Sequence, residues 1–327
     1  MARFFFSLEH EQFQPEKIVG LAKLVEEAGF DGIAVSEHFH PWVDDIGAGG
    51  FAFSTLGAIA AVTKKVRLMT NVVSPLFRYH PAIVAQAAAT IDRLSSGRFE
   101  LGVGTGWSLN ESPLGYKFPN YKERAERMRE ALEIMRRLLD GEKLTYTGKY
   151  YKTDRAKLYS PPNRKIPIYM AAAGPKSAAL AGQKTDGVIV SVKNPAESLQ
   201  KVIEPAKKAA TSAGRTNPKI IASRWTIIAR DYDEAWKAIQ PWRGLRVPGR
   251  DKAVDPQDLR MEADMLGPKE LLKNFTLVQD QKELTEVYST LIEELGADTV
   301  VTSIASTNPE SIIKMVAKQV LPTLKKL

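Results

Sequence analysis

The stretch "RFFFSLEHEQFQPEKIVGLAKLVEEAGFDGIAVSEHF", residues 3–39, contains one complete unit of the pattern that decides the fold. Residues 3–8 form an apolar run with the length of a buried strand, and residues 15–30 place apolar side chains at helical spacing. A second apolar run begins within residues 31–39. A strand, a helix and another strand in this order predict parallel strands joined by a crossover helix.

The same alternation continues along the chain and gives eight strand candidates, each followed by a helix. The candidates are RFFFSL (3–8), DGIAVSEHF (31–39), VRLMTNVV (66–73), FELGVGTG (99–106), IPIYMAAAG (166–174), DGVIVSV (186–192), KIIASRWTIIA (219–229) and TVVTSIA (299–305). Eight such units in roughly 300 residues predict the α/β class and a closed (β/α)8 TIM barrel. The alternative is a doubly wound open sheet.

We expect the barrel to be a single domain over residues 1–327, with two segments that interrupt the pattern. Residues 141–165 are rich in Tyr, Lys and Pro, and residues 241–268 are rich in charge and Pro. Long connections in compact domains are usually lids or binding loops. Both segments are therefore predicted to be insertions over the C-terminal mouth of the barrel.

The composition excludes several classes of protein. There is no cysteine, so disulfides, thiolate catalysis and cysteine-ligated metals are ruled out, and redox chemistry requires a bound cofactor. No apolar run is long enough for a membrane span or a signal peptide, and we expect a soluble cytoplasmic protein. The net charge of +8 is spread over segments of mixed sign such as "KERAERMREALEIMRR". This favours an anionic cofactor or small substrate over nucleic acid or a membrane.

Unusual residues accumulate where the predicted strands end. The segments are SEHFHPW (36–42), NVVSPLFRYHP (71–81), GTGWSLNE (104–111), AAAGP (171–175) and SVKNP (191–195). The carboxyl ends of barrel strands meet at one face, which is where TIM-barrel active sites lie. One shared site at the mouth is therefore predicted.

The glycines of the fourth strand do not form a dinucleotide-binding fingerprint. Gly102, Gly104 and Gly106 follow three βα units, and Trp107 stands where the third fingerprint glycine belongs. Two readings stay open at this point. The glycines either let the backbone approach a ligand closely or thin a crowded barrel strand.

The histidines favour acid–base chemistry over a metal site. His38 and His40 have the H-x-H spacing of metal ligands. The other two histidines are His10 and His80, so no histidine lies in the later strands, and the far side of such a site would have no imidazole ligand. No catalytic metal is predicted. His38, near Trp42 at the mouth, is interpreted as a general base or hydrogen-bond donor, and His40 and His80 as loop histidines.

Taken in order, "SEHFHPW", "FRYHPAIVAQAAAT", "GVGTG", "SLNE", "IYMAAAGP" and "DGVIV" resemble the luciferase-like barrel oxidoreductases that use coenzyme F420. The sequence is most similar to the group with the deazaflavin-dependent glucose-6-phosphate dehydrogenases and secondary alcohol dehydrogenases. The resemblance runs almost end to end. It implies coenzyme F420 as cofactor, an alcohol or sugar-phosphate substrate and a homodimer.

The resemblance also implies roles for individual residues. The catalytic residues it implies are His38, Trp42 and Glu11. The cofactor-binding residues it implies are Glu37, Asn71, Val72, Ser74, Gly106, Trp107, Asn110, Ala173, Gly174 and Pro175, with a non-prolyl cis peptide at Asn71-Val72. The residues it implies for binding the substrate phosphate are Lys193 and Lys252.

Three positions depart from the pattern that the resemblance implies. Glu37 replaces an aspartate, and Asn274 replaces a phosphate-binding arginine. Trp107 replaces a glutamate that serves as proton donor, and an indole cannot transfer a proton. Water, Glu11 or Glu111 would then have to act as the acid.

The leading hypothesis is hydride transfer between a carbinol and the deazaflavin, with His38 accepting the hydroxyl proton. The alternatives are an FMN-dependent luciferase-like monooxygenase and a barrel that binds the deazaflavin without turnover. The substrate and the physiological direction stay open.

Overall fold

A computed structural model describes residues 1–327 and contains a closed barrel of parallel strands. The strands are β1 (Arg3–Leu8), β2 (Gly32–Val35), β3 (Arg67–Thr70), β4 (Phe99–Val103), β5 (Leu144–Thr147), β6 (Lys152–Ala156), β7 (Ile168–Ala171), β8 (Gly187–Ser191), β9 (Lys219–Ile228), β10 (Thr276–Val278) and β11 (Thr299–Ala305). The barrel order is β9-β11-β1-β2-β3-β4-β7-β8, and pairing of β8 with β9 closes it. All eight predicted strands are present, so the (β/α)8 prediction is confirmed.

Helices cover the outside of the barrel. They are α1 (Pro15–Glu27), α2 (Ala52–Val62), α3 (Pro81–Leu94), α4 (Ser108–Glu111), α5 (Tyr121–Leu139), α6 (Pro175–Lys184), α7 (Pro195–Ser198), α8 (Glu204–Ser212), α9 (Tyr232–Ala238), α10 (Pro256–Leu272), α11 (Gln281–Glu293), α12 (Pro309–Met315) and α13 (Leu321–Leu324). Several begin with proline, whose fixed φ suits the first turn. None of the helices is both long enough and apolar enough to cross a membrane.

The interior of the barrel is filled by side chains from neighbouring strands, including Phe5, Met69 and Tyr169. Glycine makes room at two crowded points. A Cβ at Gly32 would lie 2.5 Å from the Phe5 ring, and a Cβ at Gly102 would lie 2.0 Å from the carbonyl oxygen of Thr70 on β3. Gly102 therefore allows strands β3 and β4 to pack closely. This agrees with the interpretation that the glycines relieve crowding in a barrel strand.

The two segments that interrupt the βα pattern have structure of their own. Strands β5 and β6 form an antiparallel hairpin within residues 141–165. Residues 241–268 are almost entirely helical, with short 3₁₀ turns before α10. Side chains from this second segment form a separate apolar cluster with Trp42. A Cβ at Gly244 would lie 2.0 Å from the Trp42 carbonyl oxygen, so the segment packs directly on the loop that carries Trp42.

Candidate functional site

A cavity of about 1090 Å³ opens at the carboxyl ends of the barrel strands. All residues that the resemblance assigned to a site line it. They are Glu11, Glu37, His38, Trp42, Asn71, Val72, Ser74, Gly106, Trp107, Asn110, Ala173, Gly174, Pro175, Lys193 and Lys252. The barrel closure explains this convergence, because it brings the ends of distant strands to one face.

His38 lies in one corner of the cavity, and its side chain is 10% exposed. Its Nδ1 is 3.1 Å from the carbonyl oxygen of His40, and its Nε2 is 3.4 Å from Oε1 of Glu11. The Trp42 ring lies 4.9 Å away between centroids. Because a carbonyl only accepts, Nδ1 donates to His40 and Nε2 is left to exchange a proton with a ligand.

Asn110, in the short helix α4, holds the His38 loop in place. Its Oδ1 accepts hydrogen bonds from the backbone N–H groups of Phe39 at 2.9 Å and His40 at 3.3 Å. Its amide nitrogen lies 3.3 Å from Nδ1 of His38. Asn110 therefore fixes the backbone of the loop that carries His38 as well as lining the cavity.

Glu37 is a buried carboxylate with a full set of partners. Arg78 donates to it from Nη2 at 2.5 Å, and the Tyr79 hydroxyl donates at 3.1 Å. Arg78 also faces Glu111, with Nε 3.8 Å from Oε1. Sequence reasoning missed Arg78, although it lies in the quoted segment after the third strand, because nothing in the sequence indicates that an arginine there is buried.

The floor of the cavity is built from two backbone segments that touch. The peptide bond between Asn71 and Val72 is cis. A Cβ at Gly104 would lie 2.7 Å from Cγ2 of Val72, and a Cβ at Gly106, where φ is +78°, would lie 2.8 Å from Oγ of Ser74. Gly104 and Gly106 therefore make room for neighbouring side chains, and the close approach of their backbone to a ligand stays a prediction.

A polar pocket lies at the start of α6. Gly174 and Pro175 begin the helix there, and the Ser177 hydroxyl donates to the Gly174 carbonyl oxygen at 2.9 Å. The Tyr121 hydroxyl, which lies near Ser177, and Nε of Arg124 line the same cavity and are buried without hydrogen-bond partners at a suitable distance and angle. Buried donors without partners at a cavity wall suit an anionic ligand.

Trp107 links two parts of the cavity wall. Its ring meets Trp42 edge-on, with centroids 5.7 Å apart and planes at 85°. The guanidinium of Arg250 lies 5.5 Å from the Trp107 ring centroid, a cation–π contact. Trp107, which stands where the family resemblance expects a glutamate, therefore forms the cavity wall beside Trp42. It also contacts Arg250 from the 241–268 segment.

Positive side chains crowd one side of the mouth: Lys193, Arg246, Arg250 and Lys252. Burial and the charges of Arg246 and Arg250 lower the pKa of Lys193. Burial and the charge of Arg250 lower the pKa of Arg246 to about 10, and its Nε has no partner. Sequence reasoning missed both arginines, although it noted the charge of the segment that carries them. Because these like charges repel, an anion among them would be stabilised.

The remaining acids and histidines occupy distinct positions. Burial raises the pKa of Glu111 to about 7, but this carboxyl packs behind Gly106 and does not line the cavity. His40 points to the Val254 carbonyl oxygen, away from His38, because β2 ends at Val35 and strand alternation does not extend to them. His80 caps α3, accepting from the N–H of Ala82.

His10 is buried between Ser36 and Thr55, with hydrogen bonds from both ring nitrogens. No group of three or more His, Asp or Glu side chains is arranged to hold a metal ion.

The fold and its mouth cavity define an enzyme of the (β/α)8-barrel class. A sequence profile of the family described as "Luciferase-like monooxygenase" matches residues 1–299. An F420-dependent glucose-6-phosphate dehydrogenase of Nakamurella multipartita is 34% identical over 99% of this chain and 97% of its own length. The protein of that name from Nocardia farcinica is 37% identical over 86% of each chain.

Among solved structures, an F420-dependent secondary alcohol dehydrogenase in complex with an F420-acetone adduct is 29% identical, with a TM-score of 0.90 and 99% of both chains covered. The chain belongs to the luciferase-like monooxygenase family. The resemblance to its F420-using oxidoreductases is confirmed.

Proposed function

We propose that this protein is an F420-dependent dehydrogenase that transfers a hydride between the deazaflavin and a carbinol carbon of a small substrate carrying an anionic group. The observation that carries the proposal is one cavity with a proton-accepting corner at His38 and a cluster of positive side chains at its mouth. The whole-chain similarity to proteins named F420-dependent glucose-6-phosphate dehydrogenase supports the choice of cofactor and reaction.

The chain has suitable groups for this cofactor. Coenzyme F420 supplies a deazaflavin ring that exchanges hydride, and it carries an anionic tail. The close-packed floor at Val72 and Gly106 would support the flat ring. The start of α6, together with Tyr121 and Arg124, offers unpartnered donors for the phosphate of the tail.

His38 would handle the proton of the substrate hydroxyl. With Nδ1 directed at the His40 carbonyl oxygen, Nε2 accepts the proton, and Glu11 at 3.4 Å stabilises the imidazolium that forms. Trp42, which is 3% exposed, covers one side of the imidazole and excludes water from this corner. Holding the carbinol between His38 and the ring would lower the entropic part of the barrier.

The positive cluster would select the substrate. Lys193, Arg246, Arg250 and Lys252 all line the cavity, and the Arg250 guanidinium lies over the Trp107 ring. A phosphate group is the natural complement of several arginines and lysines. The two arginines would take over the role for which the resemblance expects an arginine at position 274.

The first test is binding. We expect the full chain to bind coenzyme F420 at micromolar concentration or below and FMN far more weakly, measured by fluorescence titration. Preferential binding of FMN would replace the proposal with a flavin monooxygenase. F420 binding without turnover of any alcohol or sugar phosphate in either direction would replace it with a non-catalytic barrel.

The second test is substrate charge. We expect kcat/KM to be at least about 10-fold higher for glucose 6-phosphate than for glucose, and likewise for glycerol phosphate against glycerol, since a hydrogen bond to a charged group contributes about 1.5–3 kcal/mol. Arg250→Ala should raise KM for the phosphate compound about 10-fold and leave kcat nearly unchanged. The control is Lys273→Ala, which removes an equal charge from a surface pair with Glu270. Equal kcat/KM for the charged and uncharged compounds would contradict the assigned substrate class.

Two further predictions from the sequence analysis remain part of the proposal: a cytoplasmic location, and the homodimer that the family resemblance implies. The molar mass from light scattering during size-exclusion chromatography tests the second, with twice the chain mass of 36.2 kDa expected.

A further inference from the structure

The 241–268 segment packs directly on the loop that carries His38 and Trp42. An added Cβ at Gly244 would lie 2.0 Å from the Trp42 carbonyl oxygen, so the two backbones are in contact. The Trp42 ring also belongs to the same apolar cluster as Trp242 of the segment. Because packed groups move together, a displacement of the segment would move Trp42 relative to the cavity.

A buried guanidinium joins the segment to the same loop by charge. Nη2 of Arg243 donates to Asp45, which follows Trp42 in the loop. Nε of Arg243 lies 3.3 Å from Oδ1 of Asp264 on α10, and Nη1 donates to the Gln240 carbonyl oxygen at 2.9 Å. The Arg243 side chain is 4% exposed, so its charge depends on these two carboxylates. Only Asp45 belongs to the loop.

The segment also contacts the residue that orients the catalytic imidazole. Nδ1 of His40 lies 3.1 Å from the Val254 carbonyl oxygen. The carbonyl oxygen of His40 in turn accepts from Nδ1 of His38. The position of the segment therefore bears on both side chains of the catalytic corner, His38 and Trp42.

Arg246 lies at the end of the 3₁₀ stretch Gln240–Arg246, which also contains Arg243, and it lines the cavity. Its guanidinium lies 5.4 Å from the Phe275 ring centroid. Unlike Arg243, it has no acidic partner, and its Nε has no hydrogen-bond partner. A charged donor without a partner at a cavity wall suits the anionic group of a ligand.

The positive side chains at the mouth lie on both sides of the boundary between the segment and the barrel. Lys193 follows strand β8 of the barrel, whereas Arg246 and Arg250 belong to the segment. Burial and the charges of both arginines lower the pKa of Lys193, so the like charges are close enough to act on one another. Their repulsion separates the two sides, whereas a dianion between them would attract both.

We propose that Arg243 is a positioning residue, which transmits the binding of the substrate's anionic group at Arg246 to the loop of His38 and Trp42. The inference rests on the proposed function for the reaction that this loop serves. An anion at Arg246 would draw the 3₁₀ stretch toward the barrel, and the pair of Arg243 with Asp45 would carry the loop with it. The anionic group would then raise kcat as well as affinity, because its binding energy is used to orient the groups that react.

A test that needs neither cofactor nor turnover is fluorine NMR of the full chain labelled with fluorotryptophan. The Trp42 resonance is assigned by its loss in Trp42→Phe, and the probe is inorganic phosphate. We expect phosphate to shift this resonance in the unmodified protein and to leave it in place in Arg246→Ala. The absence of a shift in the unmodified protein overturns the proposal.

Asp45→Ala and Asp264→Ala are the matched pair of variants. Each removes one carboxylate from Arg243, and the two side chains are 43% and 48% exposed, so neither leaves a cavity in the core. Phosphate should still shift the Trp42 resonance in Asp264→Ala and should lose most of this effect in Asp45→Ala. An equal shift in both variants overturns the role of Arg243. A thermal melt of each variant identifies any loss of folding.

The kinetic test uses the protein with F420 and its better phosphate substrate. Asp45→Ala should lower kcat about 10-fold and change KM less than about 3-fold, because misplaced groups react slowly, whereas Asp264→Ala should change both by less than about 3-fold. An unchanged kcat in Asp45→Ala overturns the proposal. Arg250→Ala should keep its kcat, because Arg246 still binds the anion.

The sharpest test separates the anion from the carbinol. Inorganic phosphite should raise kcat/KM for the uncharged counterpart, glucose or glycerol, about 10-fold, which is the scale of one hydrogen bond to a charged group. This activation should be kept in Asp264→Ala and lost in Arg246→Ala and Asp45→Ala. A lack of activation in the unmodified protein overturns the proposal. Failure of the dehydrogenase proposal would leave the NMR result unaffected, so the two failures are distinguishable.

Discussion

Replacing Arg78 with methionine tests the electrostatic balance beneath the cavity. Arg78 and Glu37 have side chains that are 6% and 2% exposed, and their charged atoms are 2.5 Å apart. Removing one partner of a buried ion pair costs about 3–5 kcal/mol, because the other charge stays buried without compensation. With an unfolding entropy of about 2.1 cal/mol/K per residue over 327 residues, that corresponds to a loss of roughly 4–7 °C in Tm. Methionine keeps the length of the side chain and most of its packing.

The loss should depend on pH. Burial already raises the pKa of Glu111 to about 7 while the charge of Arg78 acts to lower it. In Arg78→Met, the folded-state pKa of Glu111 should rise further, because the charge of Arg78 no longer lowers it. A carboxyl whose folded pKa exceeds the unfolded value of about 4.3 contributes its stability below that value and loses it as pH rises through the folded pKa. The deficit of the variant should therefore be largest near pH 8 and shrink toward pH 5.

The assay is thermal unfolding of wild type and variant at pH 5 and pH 8, at one scan rate. Arg260→Met is the matched control, because Arg260 pairs with Asp44 where both side chains are partly exposed, and such pairs contribute less than about 1 kcal/mol. Combining Arg78→Met with Glu37→Gln should recover about 1–3 kcal/mol. A deficit under about 1 kcal/mol, or one that is equal at both pH values, would refute the reasoning.

Three glycines give further expectations about stability and the site. Gly20→Ala should raise stability by about 0.5–1 kcal/mol, because Gly20 is exposed within a helix and an added Cβ meets nothing within 4 Å; an unchanged or lower Tm would argue against this. Gly102→Ala should yield little folded protein, since its Cβ would lie 2.0 Å from the Thr70 carbonyl oxygen and would separate two barrel strands; recovery of normal soluble protein would contradict it. Gly244→Ala should cost about 1–3 kcal/mol and lower kcat, since its Cβ would displace the Trp42 loop; unchanged kinetics would show that the contact is dispensable.

The barrel was predictable because its strands are buried on both sides and appear as apolar runs. The limits of the prediction have physical causes. The second run was predicted over residues 31–39, but β2 ends at Val35, where the chain turns and directs Glu37 and His38 into the mouth. Strand β10 has three residues, too few for a periodic signal, and it forms by pairing with the outer end of β9.

The sequence predicts which side chains line the cavity when they lie next to the end of a barrel strand. It predicts the cavity-lining residues of other segments only in part. Placement in the cavity followed from barrel closure for residues such as His38 and Lys193. The sequence did not indicate the partners of Arg78, because burial of a charged side chain depends on contacts made across the fold. It also did not indicate that Arg250 would lie on Trp107, since the two residues are brought together only by the helical path of the 241–268 segment.

The contact between Trp107 and Arg250 bears on any attempt to restore an acid at position 107 by a single substitution. A carboxylate in place of the indole would stand next to the guanidinium and attract it, drawing the arginine away from an incoming anion. The gain of a proton donor would then be offset by weaker capture of a charged substrate. Residues 107 and 250 should therefore be substituted together, although they lie far apart in the sequence.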